Sequence, residues 1–171
     1  LSSIIKYIGK IILDLESVER NEELKNIIED FEELEKNKKI DQQVNTVSLF
    51  WETIGENMDQ WRGVRVGNLS AAEVRRDFIH THVIILQALG HMGKDLLKQF
   101  PTNWKSKLKN LNKINWLKNN SVWQQRVIIN GRVVKNNNSI ILASNVIKKA
   151  LGIKLDTKEK ALESQVKKNG K

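Results

Sequence analysis

The stretch SAAEVRRDFIHTHVIILQALG, Ser70 to Gly90, sets two arginines, an aspartate and two histidines against an aliphatic run. Ser70 followed by Glu73 has the form of a capping box, in which a hydroxyl and a carboxylate satisfy orphan amides at a helix start. From there Val74, Phe78, Thr81 or His82, Ile85, Leu89, Met92 and Leu96 recur in alternating three- and four-residue steps. That spacing predicts one buried seam on a long central helix over about 70–99, widened by Ile79, Val83 and Leu86. Pro101, the one proline of the chain, marks its end.

Working outward, most other segments share the helical period, so the expected fold is mainly α. Ser3 would cap a helix carrying Ile4, Ile8, Ile11 and Leu15 on one stripe, with Ile5 and Ile12 beside it. Asn21 would cap a second with Leu24, Ile27, Ile28, Phe31 and Leu34 opposite a face of glutamates. A third follows with Val47, Phe50, Trp51, Ile54 and Met58, and Trp51 reads as core. Trp61 to Leu69 contains two glycines among alternating valines and reads as a loop or short extended piece. Beyond Pro101, Thr102 would cap a short basic helix containing Trp104, Leu108 and Leu111. RVIINGRVV then sets Asn130-Gly131 between β-branched residues, the signature of a two-residue hairpin turn, so a short β-hairpin is expected near 126–135. SIILASNVIKKALG reads as a helix capped at Ser139 or Ser144 and stopped by Gly152, and Asp156 would open a last one. A single domain over 1–171 is expected, with acidic helices in 1–59, a basic region in 60–155 and a tail in 156–171.

Charge divides the chain sharply. The net charge is +9, yet residues 1–59 hold 7 Lys/Arg against 14 Asp/Glu, and residues 60–171 hold 22 against 6. Between Leu96 and Leu155 there are 12 Lys/Arg and no acidic residue. A single charge run is commonly a solvated face, but sixty residues without a carboxylate point to a polyanionic partner. No cysteine is present, which excludes disulfides, thiolate metal sites and cysteine nucleophiles and suits a reducing cytoplasm. The longest apolar run, Val83 to Leu86, is far too short for a membrane span. The chain opens at Leu1 directly in a helical pattern and reads as a piece of a longer protein.

The residues offer little for catalysis. His80 and His82 lie about 200° apart on a helix, and His80 and His91 about 16 Å apart along one, so no metal and no cofactor is expected. On this reading His82 faces the core and His80 the polar shoulder, while Asp77 belongs to a local ion pair with Arg76. Walker, GxSxG and GxGxxG patterns are absent. Trp104, Trp116 and Trp123 stand among basic residues and could stack on bases, but buried anchors explain them better. Arg126, Arg132 and Lys135 around the hairpin, Lys148 and Lys149 on the helix behind it, and Lys105 and Lys107 are the candidate phosphate contacts. Arg75, Arg76 and His80 form a shoulder that would dock a partner or DNA.

The blocks SAAEVRRDFIHTHVIILQALG, NWKSKLKNLNKINW and VWQQRVIINGRVVKNNNSIILASNVIKKALGIKL, in this order, resemble the C-terminal half of the DndB family of DNA sulfur modification, from roughly Phe50 to Leu155. The DGQHR-type segment of that family's N-terminal half is absent from this sequence. By position the family-like residues are Glu73, Arg75, Arg76, Asp77, His80 and His82, then Trp123, Arg126, Gly131, Arg132, Lys135, Asn145 and Lys148. The resemblance implies a cytoplasmic, non-enzymatic regulator of the phosphorothioation operon. Its partners would be duplex DNA, the missing N-terminal half and, in an oligomer, further copies of itself. Two other readings stay open: a structural or oligomerisation domain supporting that half, and part of a DNA-processing enzyme.

Overall fold

The computed structural model describes residues 40–169, so the two expected acidic helices from Ser3 and Asn21 lie outside the described residues. The first described helix, α1 (Ile40–Glu56), buries Phe50 and Ile54 and passes their stripe on to Met58. Trp51, one residue around the helix from Phe50, is 40% exposed and not core, and its ring stands 5.1 Å from that of Trp61. The segment expected as a loop at Trp61–Leu69 is helical through Arg65, in α2 (Asp59–Arg65), and turns as expected over 66–69. Its glycines explain how. Leu69 lies so close over Gly63 that a Cβ there would meet its Cδ1 at 2.6 Å, and Gly67 turns the chain at φ +78°.

The long central helix is the main correction. It exists as two pieces, α3 (Ala71–Asp77) and α4 (Val83–Gln99), separated by extended Phe78, a 3₁₀ turn over Ile79–Thr81 and extended His82. No proline or glycine causes the break. Instead the segment around residues 116–118 supplies better partners for the backbone: the Ile79 amide donates to the Trp116 carbonyl at 2.9 Å, and the Lys118 amide to that of Asp77 at 3.0 Å. The Lys118 ammonium donates to the Arg75 and Arg76 carbonyls at 2.8 and 2.7 Å, closing the C-terminus of α3. Tertiary hydrogen bonding has overridden an unbroken helical period.

After Pro101, α5 (Trp104–Leu108) starts from Asn103, not Thr102, and runs on into a 3₁₀ turn over Lys109–Lys113. The hairpin forms where expected. β1 (Ile128–Ile129) pairs antiparallel with β2 (Arg132–Val133), and Asn130 and Gly131 take φ +51° and +73°, the two positive values of a type I′ turn. α6 (Asn137–Leu151) is capped by Asn136, whose side chain accepts from the Ser139 amide at 2.8 Å, whereas Ser139 and Ser144 are buried within the helix. Gly152 stops it in the left-handed region, with Ile153 N–H bonded to Lys148 O and Gly152 N–H to Lys149 O.

The core lies between α4 and α6, the most extensively packed pair of elements, with Ile84, Ile85, Ala88, Leu89, Met92 and Leu96 facing Ala143, Val146, Ile147 and Leu151. Trp104, Trp116 and Trp123 are buried anchors: Trp116 and Trp123 stack at 5.4 Å and donate to the Leu111 and Asn115 carbonyls. Among the described residues no helix is long and apolar enough to cross a membrane.

The last helix, α7 (Thr157–Asn169), carries the capping box expected at Ser70. Ser70 occupies an N-cap position, but its hydroxyl accepts no bond. Asp156 and Glu159 exchange two bonds, the Glu159 amide to Asp156 Oδ1 at 2.8 Å and the Asp156 amide to Glu159 Oε2 at 2.9 Å. Ser70→Ala is therefore expected to change stability by less than about 0.5 kcal/mol, and Asp156→Ala to cost about 1 kcal/mol. Urea unfolding of both variants checks this, and a larger loss from Ser70→Ala would contradict it.

Candidate nucleic-acid interface

The hairpin, α5 and α6 carry the basic side chains, but they present them in two very different ways. Arg132 and Lys135 stand exposed on and just after β2, and no carboxylate pairs with either among the described residues. Lys105 and Lys107 project from α5 over aromatic rings, Lys105 5.7 Å from the Trp104 centroid and Lys107 4.3 Å from that of Phe100. Each ring faces the ammonium itself, and neither charge pairs with a carboxylate among the described residues.

The other three cations are engaged from within. Arg126 lays its guanidinium fork on Glu163 of α7, with Nη2 to Oε2 at 3.0 Å and Nε to Oε1 at 3.4 Å, and donates through Nη1 to the Val122 carbonyl. Lys149 shares the same Glu163 carboxylate. Burial alone would raise the Glu163 carboxyl, but the hydrogen bonds and charges of Arg126 and Lys149 together hold it below its ordinary value. Lys148 is 1% exposed and pairs with both Asp95 of α4 and Glu159 of α7. Its ammonium is turned into the fold, where it cannot reach a phosphate outside.

The expected shoulder is also rearranged. Arg76 is exposed and grips Asp77 through two bonds of 2.8 and 2.9 Å, the local ion pair read from the sequence. Arg75 is exposed and donates to the Thr81 carbonyl at 3.3 Å. The histidines exchange places relative to expectation, because the break at Phe78–His82 rotates them. His80 is the buried one and His82 the half-buried one. His80 Nδ1 accepts from Trp61 Nε1 at 3.0 Å, so Nε2 carries the proton and donates to Gln60 Oε1 at 3.2 Å. Phe78 stacks on the ring and Trp61 and Trp116 meet it edge-on, so His80 sits in an aromatic cage. Burial lowers its pKa to about 4, and the imidazole is neutral near pH 7. His82 is lowered too, first by burial and then by the Lys118 and Arg75 charges.

His91, Asp95 and Glu159 bring one ligand atom each within 4.8 Å of one another, a set of types able to hold a metal ion. Lys148 already bridges the two carboxylates, and the second Glu159 oxygen accepts from the Asp156 amide, so both oxygens of Glu159 are in use. What sequence reasoning missed is this role of the acidic residues. The signal was present: Glu159 and Glu163 recur at i, i+4 just beyond sixty residues without a carboxylate.

No curated protein and no solved structure matches the chain. The family model for DndB, described as DNA-sulfur modification-associated, matches residues 20–154, which takes in α1 to α6 and every basic side chain described above. The match extends the resemblance seen from Phe50 onward toward the N-terminus, and the chain belongs to the DndB family associated with DNA sulfur modification.

Proposed function

We propose that this chain is a DNA-binding regulatory protein of DNA phosphorothioation, acting on expression of the modification genes and not as an enzyme. The observation that carries the reading is the display of Arg132 and Lys135 on and just after a type I′ hairpin, within a stretch that contains no acidic residue. Lys105 and Lys107 add two more cations without carboxylate partners among the described residues. Such groups gain most by meeting phosphates, since each contact releases condensed counterion.

Replacing Arg132 and Lys135 together by alanine is expected to weaken duplex binding and to reduce the log–log salt slope by about 0.9 per lost contact. Folding is expected to survive, because both side chains are exposed. Fluorescence anisotropy of wild type and variant on promoter and random duplexes at several salt concentrations provides the test. An equal loss on all sequences marks phosphate contact, while a selective loss of about 1–3 kcal/mol at one site marks base reading by Arg132. Unchanged affinity and slope would remove the hairpin from the interface and favour a structural or oligomerisation role.

A further inference from the structure

The geometry points to a second, gated phosphate-binding surface made by Arg126 and Lys149, closed by the Glu163 carboxylate of α7 and opened when a DNA phosphate takes that carboxylate's place. The inference rests on the DNA-binding reading and adds to it a surface and its regulation.

The first support is stereochemical. Glu163 accepts from the Arg126 fork and from the Lys149 ammonium at once, an arrangement of donors that suits a tetrahedral phosphate equally well. Lys149 keeps 47% of its side chain exposed, while Arg126 keeps 15% and Glu163 7%, so a phosphate would approach from the Lys149 side and reach the Arg126 fork as Glu163 withdraws. The second support is the uneven attachment of α7. Its first turn is pinned by the Asp156–Glu159 capping box, by buried Lys148 and by the Asn145 amide on the Glu159 carbonyl. One turn later the polar hold among the described residues is Glu163, on Arg126, Lys149 and, at 3.5 Å, Asn145. The neighbours Ala161, Ser164 and Gln165 are exposed, and the apolar Leu162 and Val166 are only partly buried. Releasing Glu163 therefore need not disturb the anchored first turn. The third support is where the charges come from. Both cations lie inside the family-matched segment 20–154, and the carboxylate that closes them lies beyond it.

The test compares Glu163→Gln, which keeps the shape and removes the charge, with Glu52→Gln, an exposed change of the same sign on α1. Duplex DNA is titrated by anisotropy across a salt series. For Glu163→Gln, binding is expected to tighten on the order of tenfold at low salt, with the slope steepening by about 0.9 for each of the two released cations. Glu52→Gln is expected to leave the slope unchanged. In the wild type, hydrogen exchange is expected to quicken at residues 163–166 on adding duplex while 157–160 stay protected, and this measurement decides the matter should Glu163→Gln not fold. If the wild type binds DNA but Glu163→Gln matches Glu52→Gln and exchange at 163–166 is unaffected, the gate is overturned and the DNA reading stands. If neither wild type nor Glu163→Gln binds duplex, the DNA reading falls and the gate with it. Binding by Glu163→Gln alone supports both.

Discussion

Glu159→Ala is expected to lower stability by about 3–5 kcal/mol, the cost of leaving a buried charge short of its partner. Lys148 is 1% exposed and shares its ammonium between Glu159 and Asp95, which reach it from different helices. Removing Glu159 leaves Asp95 as its one counter-ion among the described residues, for a charge that cannot reach water without unpacking α6. The same change deletes the acceptor of the Asp156 amide, so α7 loses half of its capping box, worth about 1 kcal/mol. Urea unfolding followed by far-ultraviolet circular dichroism measures the loss. A deficit below about 1 kcal/mol would mean that Asp95 alone satisfies Lys148. Glu159→Gln is expected to lose less, since the amide oxygen can still accept from Lys148 or Asp156.

Acid is expected to destabilise the fold through His80. Its folded pKa of about 4 lies below the ordinary 6.5, because the aromatic cage excludes the water that would solvate an imidazolium. Above pH 6.5 the imidazole is neutral in both folded and unfolded chains, and the shift has no effect. Between 6.5 and about 4 the unfolded chain binds a proton that the folded one refuses. Stability then falls by about 1.4 kcal/mol per pH unit, or about 3 kcal/mol over the window. Below that range both states are protonated and the loss stops growing. Unfolding of wild type and His80→Gln across this window isolates the contribution, since carboxylates titrate alike in both. Parallel curves for the two proteins would refute the assignment.

These two sites also show what was legible in the sequence. Turn and stop signals were readable because their causes are local: Asn130-Gly131 takes a backbone shape that few other residues accept, Gly152 ends α6 in the left-handed region, and Pro101 follows the end of α4. The break at Phe78–His82 was not readable, since nothing within it forbids a helix and its cause sits about forty residues downstream at Trp116–Lys118. The exchange of His80 and His82 follows from that break. Trp51 was misplaced for a related reason, because helical period fixes spacing along a face and not how wide a face the neighbours cover. Gly63 and Gly67 argued for a loop, whereas Gly63 lies within α2 and permits Leu69 to lie against the helix.

For the candidate interface, the basic residue types and their concentration were legible, and their availability was not. Arg126 meets a carboxylate 37 residues away and Lys148 one 11 residues away; the i, i+4 recurrence of Glu159 and Glu163 marks a paired acidic face but does not say which cations it meets. The chain's association with DNA sulfur modification rests on family membership, which charge patterning alone could not supply.

The interruption between α3 and α4 also bears on the order in which the domain assembles. Among the described residues, Lys118 supplies the donors for the carbonyls of Arg75, Arg76 and Asp77, and Trp116 the acceptor for the Ile79 amide. A seven-residue helix such as α3 is too short to persist by itself in water. Its formation is thus tied to closure of a loop of some forty residues, an event slower and entropically costlier than forming the local hairpin turn. The end of α3 and the strap around Trp116 make and lose their structure as one cooperative unit, so a fluctuation that loosens either one unlatches both.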